Sequence, residues 1–147
     1  LDRIHFLFSA NKGVALAELS RIASGGELSR LMLAVKSLIS SAGLLPTIIF
    51  DEIDTGISGE TATKVGAILT RIASKMQVIA ITHLPQIAGR SDQHFKVFKF
   101  DDGLRTWSAI EQLNPDQRIA ELALMISGDP DSPAARNAAK ELLLNKP

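Results

Sequence analysis

Two short apolar runs separated by a helical pattern constrain the fold more than any other feature of this sequence. The runs "TIIF" (47–50) and "QVIAIT" (77–82) are rich in β-branched residues and predict strands that are buried on both faces. Between them, Glu60–Ser74 repeats apolar residues at helical spacing, from Val65 to Ile72. Buried strands joined by a helix predict a layered α/β domain with a largely parallel sheet, which binds ligands at the carboxyl ends of its strands.

Weaker patterns along the rest of the chain predict further strands and helices. The helix that begins at Gly25 carries an apolar stripe that includes Leu28, Val35 and Leu38. Alternating residues on both sides of "DDG" (101–103) predict a β-hairpin after the second buried strand. The predicted segments are a strand at Arg3–Phe8, a helix at Gly25–Ser41, strands at His94–Phe100 and Leu104–Ile110, and two terminal helices at about 115–126 and 132–144.

Composition excludes several classes of protein. A chain of 147 residues suits one compact domain, and a hydrophobic content of 46% argues against intrinsic disorder. Because 16 basic residues balance 16 acidic ones, no overall positive field points to nucleic acid. The absence of cysteine fits a reducing compartment such as the cytoplasm, and no apolar run approaches the roughly 20 residues of a membrane span. The chain begins inside a strand pattern without Met, so we expect a piece of a longer protein.

The stretch "ASGGEL" (23–28) opens the first long helix with two adjacent glycines. Each glycine costs roughly 1 kcal/mol inside a helix relative to alanine. Ser24 and Glu27 match a capping box, which makes Gly25 and Gly26 the first helical residues. Free amides at a helix start attract anions, and the missing side chains would let a phosphate approach them closely. The alternative is a capped helix whose glycines only permit close packing.

Polar residues follow both buried strands. "TIIFDE" places Asp51 and Glu52 after the first strand, where Asp51 could hold Mg²⁺ through water while Glu52 orients or deprotonates an attacking water. "QVIAITH" places His83 after the second strand, where it could donate to a phosphate oxygen. The alternatives are a solvent-exposed loop for the two acids and a structural or surface role for the histidine.

The three motifs, taken together and in this order, resemble the ATPase head of the ATP-binding-cassette family. "ASGGE" resembles the family signature, usually LSGGQ, from which Ala23 and Glu27 depart. "TIIFDE" resembles Walker B with its following glutamate, "TGIS" (55–58) the D-loop, and His83 the switch histidine. The longer strings "IASGGELSRLMLAVK", "IIFDEIDTGISG" and "ITHLPQIA" resemble the C-terminal half of the head in bacterial DNA-repair ATPases related to the structural-maintenance-of-chromosomes (SMC) family.

The resemblance implies a role for each matching residue. Asp51 would support Mg²⁺, Glu52 would be the general base, and His83 would sense the γ-phosphate of ATP. The signature would contact, in trans, an ATP held mainly by the opposite subunit, and it comprises Ser24, Gly25, Gly26 and Glu27. The D-loop would line the dimer interface, and it comprises Thr55, Gly56, Ile57 and Ser58. Ser58 stands where transporters carry an aspartate, which puts only a transporter-style interface in doubt.

The sequence contains no G-x-x-x-x-G-K-[ST] phosphate-binding loop. In the family that the chain resembles, this Walker A loop lies in an N-terminal lobe, separated from the C-terminal lobe by a long coiled coil. We therefore expect residues 1–147 to form the C-terminal lobe of a split, P-loop-type ATPase head, with negligible ATP turnover by itself. Its partners would be the N-terminal lobe of the same protein, a second head and DNA, without a membrane.

The implied function is ATP hydrolysis by paired heads that controls DNA binding in recombinational double-strand-break repair, in the bacterial cytoplasm at the nucleoid. Two alternatives stay open at this point. One is a chromosome-organising ATPase of the same family. The other is a DNA clamp that nucleotide binding gates with little hydrolysis. A transporter domain is disfavoured by Ser58 and by the lack of a membrane segment.

Overall fold

A computed structural model describes most of the chain, and the chain divides into two compact units. The described residues are 4–9, 13–18, 25–41, 46–51 and 53–144, and within the first helix the described side chains are those of 28–38. The first unit lies within 1–58 and Arg71–Thr82, and the second within Gly59–Thr70 and His83–Pro147.

The first unit opens with a small antiparallel pair, β1 (Leu7–Phe8) and β2 (Ala17–Glu18). The His5 Nδ1 atom lies 3.1 Å from a carboxylate oxygen of Glu18. The sequence pattern predicted a longer first strand and did not predict β2, because two residues are too few to show an alternation.

The predicted parallel strands are present in the first unit as β3 (Thr47–Phe50) and β4 (Gln77–Ala80). They run parallel, in a register that pairs Ile49 with Ile79 and Phe50 with Ala80. The Ile81 N–H donates to the Phe50 carbonyl oxygen over 2.9 Å, so the strands stay side by side one residue beyond β4.

The expectation that both faces of these strands are buried is wrong for this chain. Ile48 and Phe50 are buried, but Ile49 is 57% exposed and its register partner Ile79 is 44% exposed. Alternate side chains of a strand point to opposite faces, and the described part of this sheet has two strands with one covered face. The other face presents isoleucine to solvent.

Helix α1 (Gly25–Ser41) has the predicted bounds, but a different side is buried. Leu33 is buried, whereas Leu28, Val35 and Leu38 of the predicted stripe are exposed. The Lys36 Nζ atom lies 4.9 Å from the centre of the Phe50 ring, close enough for a cation–π interaction with the end of β3.

Helix α2 (Gly59–Ala73) lies between the two strands in the sequence, as predicted, and contributes to both units. Its buried apolar side chains follow the helical period and are those of Ala62, Val65, Leu69 and Ile72. A Cβ atom at Gly66 would lie 2.8 Å from Arg90 Cδ, so the glycine lets the turn after α3 (Pro85–Ala88) approach α2 closely. The sequence pattern did not predict α3, since one turn is too short to show a helical period.

The second unit contains the predicted hairpin and both predicted terminal helices. Strand β5 (Phe95–Asp101) pairs antiparallel with β6 (Thr106–Gln112), and the Asp102 carboxylate at the turn accepts hydrogen bonds from Leu104 and Arg105 N–H and from Trp107 Nε1. Helices α4 (Pro115–Ser127) and α5 (Pro133–Leu144) pack together with α3. Their shared core consists of Ala88, Leu122 and Ala139, with Ile119, Met125 and Leu143 around it.

Candidate functional site

The carboxyl ends of β3 and β4 lie next to each other and carry the polar residues that the motifs singled out. Asp51 directly follows β3 and is exposed. Thr82 follows β4 after Ile81, whose hydrogen bond to Phe50 holds the two strand ends together. The expectation that these ends meet at one edge of a parallel sheet is therefore confirmed for Asp51 and Thr82. Glu52 lies outside the described residues, so its role stays a prediction.

The loop that follows Asp51 has both buried and exposed side chains. Ile53, Asp54 and Ile57 are buried, whereas Thr55, Gly56 and Ser58 are exposed. The loop turns tightly, because the Ile57 N–H donates to the Asp54 carbonyl oxygen over 3.3 Å and Gly56 has a positive φ of 72°. Three of the four predicted interface residues are thus available to a partner, and Ile57 serves as an apolar anchor.

Asp54 is a site residue that the motif analysis missed. The Thr82 hydroxyl donates to its Oδ2 atom over 2.5 Å and so connects the loop after β3 to the end of β4. The only signal in the sequence is a further acid in "DEIDTG", between two isoleucines. Such a pattern does not reveal a partner 28 positions away.

His83 directly follows Thr82, and its side chain is exposed. It takes part in an interaction within the folded chain. Its role as the switch histidine stays a prediction. The residue begins the His83–Pro147 segment of the second unit, which leads into α3.

The start of α1 contains the signature glycines. The helix begins at Gly25, so Gly25 and Gly26 both lie in its first turn, where backbone N–H groups have no partner within the helix. Ser24 and the Glu27 side chain lie outside what the structure describes. The capping box and the contribution of these two residues to ATP binding stay predictions.

A metal ion at this site would be held by few protein ligands. Within the described ranges, no three His, Cys, Asp or Glu side chains come together as a metal cluster. The exposed Asp51 carboxylate can supply one contact, directly or through water, and Mg²⁺ commonly keeps several waters and binds phosphate oxygens. The residues present fit a magnesium ion that arrives with a nucleotide.

Two basic side chains of the second unit, those of Lys96 and Arg118, are paired within the protein. Lys96 lies 2.5 Å from a carboxylate oxygen of Glu121. The Arg118 guanidinium donates to the carbonyl oxygens of Ala88, Gly89 and Ser91. A depression of about 400 Å³ lies beside Arg118 and His94. Neither Lys96 nor Arg118 is a free cation for DNA phosphates.

Comparison with known proteins connects these features to a family of DNA-repair proteins. No protein-family model matches the chain. DNA repair protein RecN of Rickettsia conorii is 51% identical over 142 residues, which is 97% of this chain and 26% of that protein. RecN of Bacillus subtilis is 43% identical over 144 residues, or 97% of this chain and 25% of that protein. The chain thus spans about a quarter of the length of these relatives.

The fold also has a counterpart among solved structures. A structure described as "Structural biochemistry of ATP-driven dimerization and DNA stimulated activation of SMC ATPases" aligns with a TM-score of 0.55 and 23% identity, over 71% of this chain and 62% of that one. At this identity the likeness establishes the fold alone, which is the α/β fold of an SMC ATPase. Over 97% of its length, this chain is homologous to a segment of DNA repair protein RecN.

Proposed function

We propose that this chain is the C-terminal lobe of a split ATPase head that hydrolyses ATP when two heads engage, and that engagement controls DNA binding in double-strand-break repair. The observation that carries the proposal is the adjacency of the β3 and β4 ends, so that the segments that begin with Asp51 and Thr82 leave the same edge of the sheet. Parallel sheets bind ligands at this edge. The similarity to RecN supports repair over the chromosome-organising alternative, because the relatives are named for repair.

ATP hydrolysis at this edge requires a group that activates water and groups that stabilise the charge on the phosphate. Glu52, next to Asp51 at the end of β3, orients a water and accepts its proton. His83 donates to an oxygen of the γ-phosphate. Asp51 would hold Mg²⁺, which would supply positive charge against the phosphates.

The signature acts on a nucleotide held by another head. The N–H groups of Gly25 and Gly26 at the start of α1 face the γ-phosphate of that ATP, and the positive end of the helix dipole adds to the attraction. The exposed residues Thr55, Gly56 and Ser58 meet the second head beside it. This arrangement makes hydrolysis conditional on dimerisation, and the description of the solved SMC structure, which speaks of ATP-driven dimerisation, supports the pairing of heads.

The rest of the protein completes the head by covering the apolar face of β3 and β4. Two exposed isoleucines, Ile49 and Ile79, lie as register partners on that face. Parallel sheets occur almost only with both faces covered, and a two-stranded sheet is marginal in water. The relatives are about four times as long as this chain, which leaves ample sequence for an N-terminal lobe with a Walker A loop.

The test is ATP turnover and ATP-dependent dimerisation of the full-length protein, for the wild type and for Glu52→Gln. A general base contributes about 10²- to 10⁴-fold, so turnover should fall at least about a hundredfold while ATP-bound dimers persist. The matched control is Glu60→Gln in α2, which removes an exposed carboxylate paired with Lys64 and should leave turnover unchanged.

Two results would contradict the proposal. If Glu52→Gln retains wild-type turnover, Glu52 is not the base. If the wild type binds ATP and dimerises without measurable turnover, the clamp with little hydrolysis is the correct function instead.

A further inference from the structure

Among the residues that the structure describes, Asp54 is the one buried charged side chain, with 3% of its surface exposed. It lies between the buried Ile53 and the exposed Thr55, three positions after the carboxylate at the end of β3. Burying a carboxylate is unfavourable unless hydrogen bonds replace the lost water. A carboxyl side chain at such a position therefore needs hydrogen-bond partners within the protein.

The Thr82 hydroxyl is a partner of this carboxylate. Its Oγ1 atom donates to Asp54 Oδ2 over 2.5 Å, at the short end for a hydrogen bond between a hydroxyl and a carboxylate. Both residues belong to the first unit, and both lie just beyond the ends of paired strands. The bond therefore joins two loops that leave the same edge of the sheet.

These two loops carry different parts of the proposed ATPase. The loop of Asp54 continues directly into the exposed residues that meet a second head. Thr82 is joined by one peptide bond to His83, which is proposed to contact the γ-phosphate. The hydrogen bond between Asp54 and Thr82 is thus a direct connection between these two loops.

We infer that Asp54 and Thr82 are positioning residues that hold His83 for hydrolysis and couple its position to the loop at 55–58. This inference rests on the proposed ATPase function. It differs from a merely structural role because it predicts a loss in turnover that depends on His83. A structural role predicts a loss of folding that is independent of His83.

The first experiment compares Thr82→Val with Thr82→Ser in the full-length protein, by steady-state ATPase kinetics. Valine keeps the shape and removes the donor, so kcat should fall about ten- to a hundredfold, as for loss of a hydrogen bond to a charged group, with KM for ATP within about twofold. Serine keeps the donor and should restore kcat to within about threefold of the wild type. The matched control is Thr70→Val, which removes a partly buried hydroxyl bonded to Gly66 O over 3.0 Å and should leave kcat unchanged.

The second experiment places Thr82→Val on a His83→Ala background. If Thr82 acts through His83, the double variant should turn over within about twofold of His83→Ala alone. A further loss as large as that in the wild-type background would overturn the inference, as would a Thr82→Val enzyme indistinguishable from Thr70→Val.

Hydrogen exchange separates this inference from the proposed function. Without any nucleotide, Thr82→Val should speed amide exchange in peptides covering 53–58, whereas Thr70→Val should not. Unchanged exchange there would refute the connection between the loops even in an active ATPase. A wild type without turnover, but with faster exchange in Thr82→Val, would refute the ATPase and the positioning role while leaving the connection in place.

Discussion

Substitution of Ile49 tests whether the exposed face of β3 is covered in the full-length protein. With 57% of its surface exposed in this chain, Ile49 has gained little more than 40% of the roughly 1.5–3 kcal/mol that full burial of isoleucine provides. Covering the remainder would add about 1–2 kcal/mol. The informative comparison is Ile49→Val with Ile49→Thr, because both are β-branched and of similar shape, and threonine differs by a polar hydroxyl.

A hydroxyl that meets water costs almost nothing, whereas a buried hydroxyl without a partner costs about 1–3 kcal/mol. If the face is covered, Ile49→Thr should lower the free energy of opening of β3 by about 1–3 kcal/mol relative to Ile49→Val. With RT at about 0.59 kcal/mol, this difference corresponds to amide exchange that is about 5- to 150-fold faster in the threonine variant. The assay is hydrogen exchange of peptides spanning 46–51 in the full-length protein. Equal exchange in the two variants would mean that the face stays in water, and the proposed N-terminal cover would be refuted.

Three further predictions concern the second unit, each measured by hydrogen exchange of α4 and α5 peptides in the full-length protein. Leu122→Ala should lower the opening free energy by about 2–5 kcal/mol, since Leu122 is fully buried beside alanines that cannot fill the space; a loss below 1 kcal/mol would contradict this packing. Asn114→Ala should lower the opening free energy of α4 by about 1 kcal/mol, because it removes the capping box formed with Gln117. Unchanged protection from hydrogen exchange at the start of α4 would contradict the role of this cap. Burial and the charge of Arg118 lower the pKa of His94, so protonation favours the unfolded state and stability should fall as the pH drops below about 6.5. His94→Gln should flatten this dependence, after correction for the intrinsic pH effect on exchange; an equally steep profile would assign it to other groups.

Elements with strong local patterns were predictable from the sequence. The helix at Gly25–Ser41, the strand at Thr47–Phe50 and the hairpin around 101–103 all depend on neighbours in the sequence, and the structure contains each of them. The parallel pairing of β3 with β4 was also predictable, because a single helix separates two short apolar runs.

Features that depend on distant residues were not predictable. Apolar residues in β3 and α1 indicate that a face needs covering but do not identify what covers it, and Ile49 and Leu38 are exposed here against expectation. The burial of Asp54 depends on a threonine 28 positions away, which no local pattern reveals. The site motifs were recognisable because each combines particular residue types at fixed spacing, and the ends of the two strands that precede Asp51 and Thr82 lie side by side, as in a parallel sheet.

The most direct test of the central claim mixes two inactive full-length variants, Ser24→Arg and Glu52→Gln, and measures ATP turnover. If the signature acts on the nucleotide of the opposite head, a mixed dimer contains one site with both residues intact. With random mixing, about half of all dimers are mixed, and each mixed dimer has one working site of its two. Turnover should therefore recover to about a quarter of the wild-type rate. No recovery, in mixtures where mixed dimers are demonstrated, would mean that Ser24 serves its own head and would contradict the account.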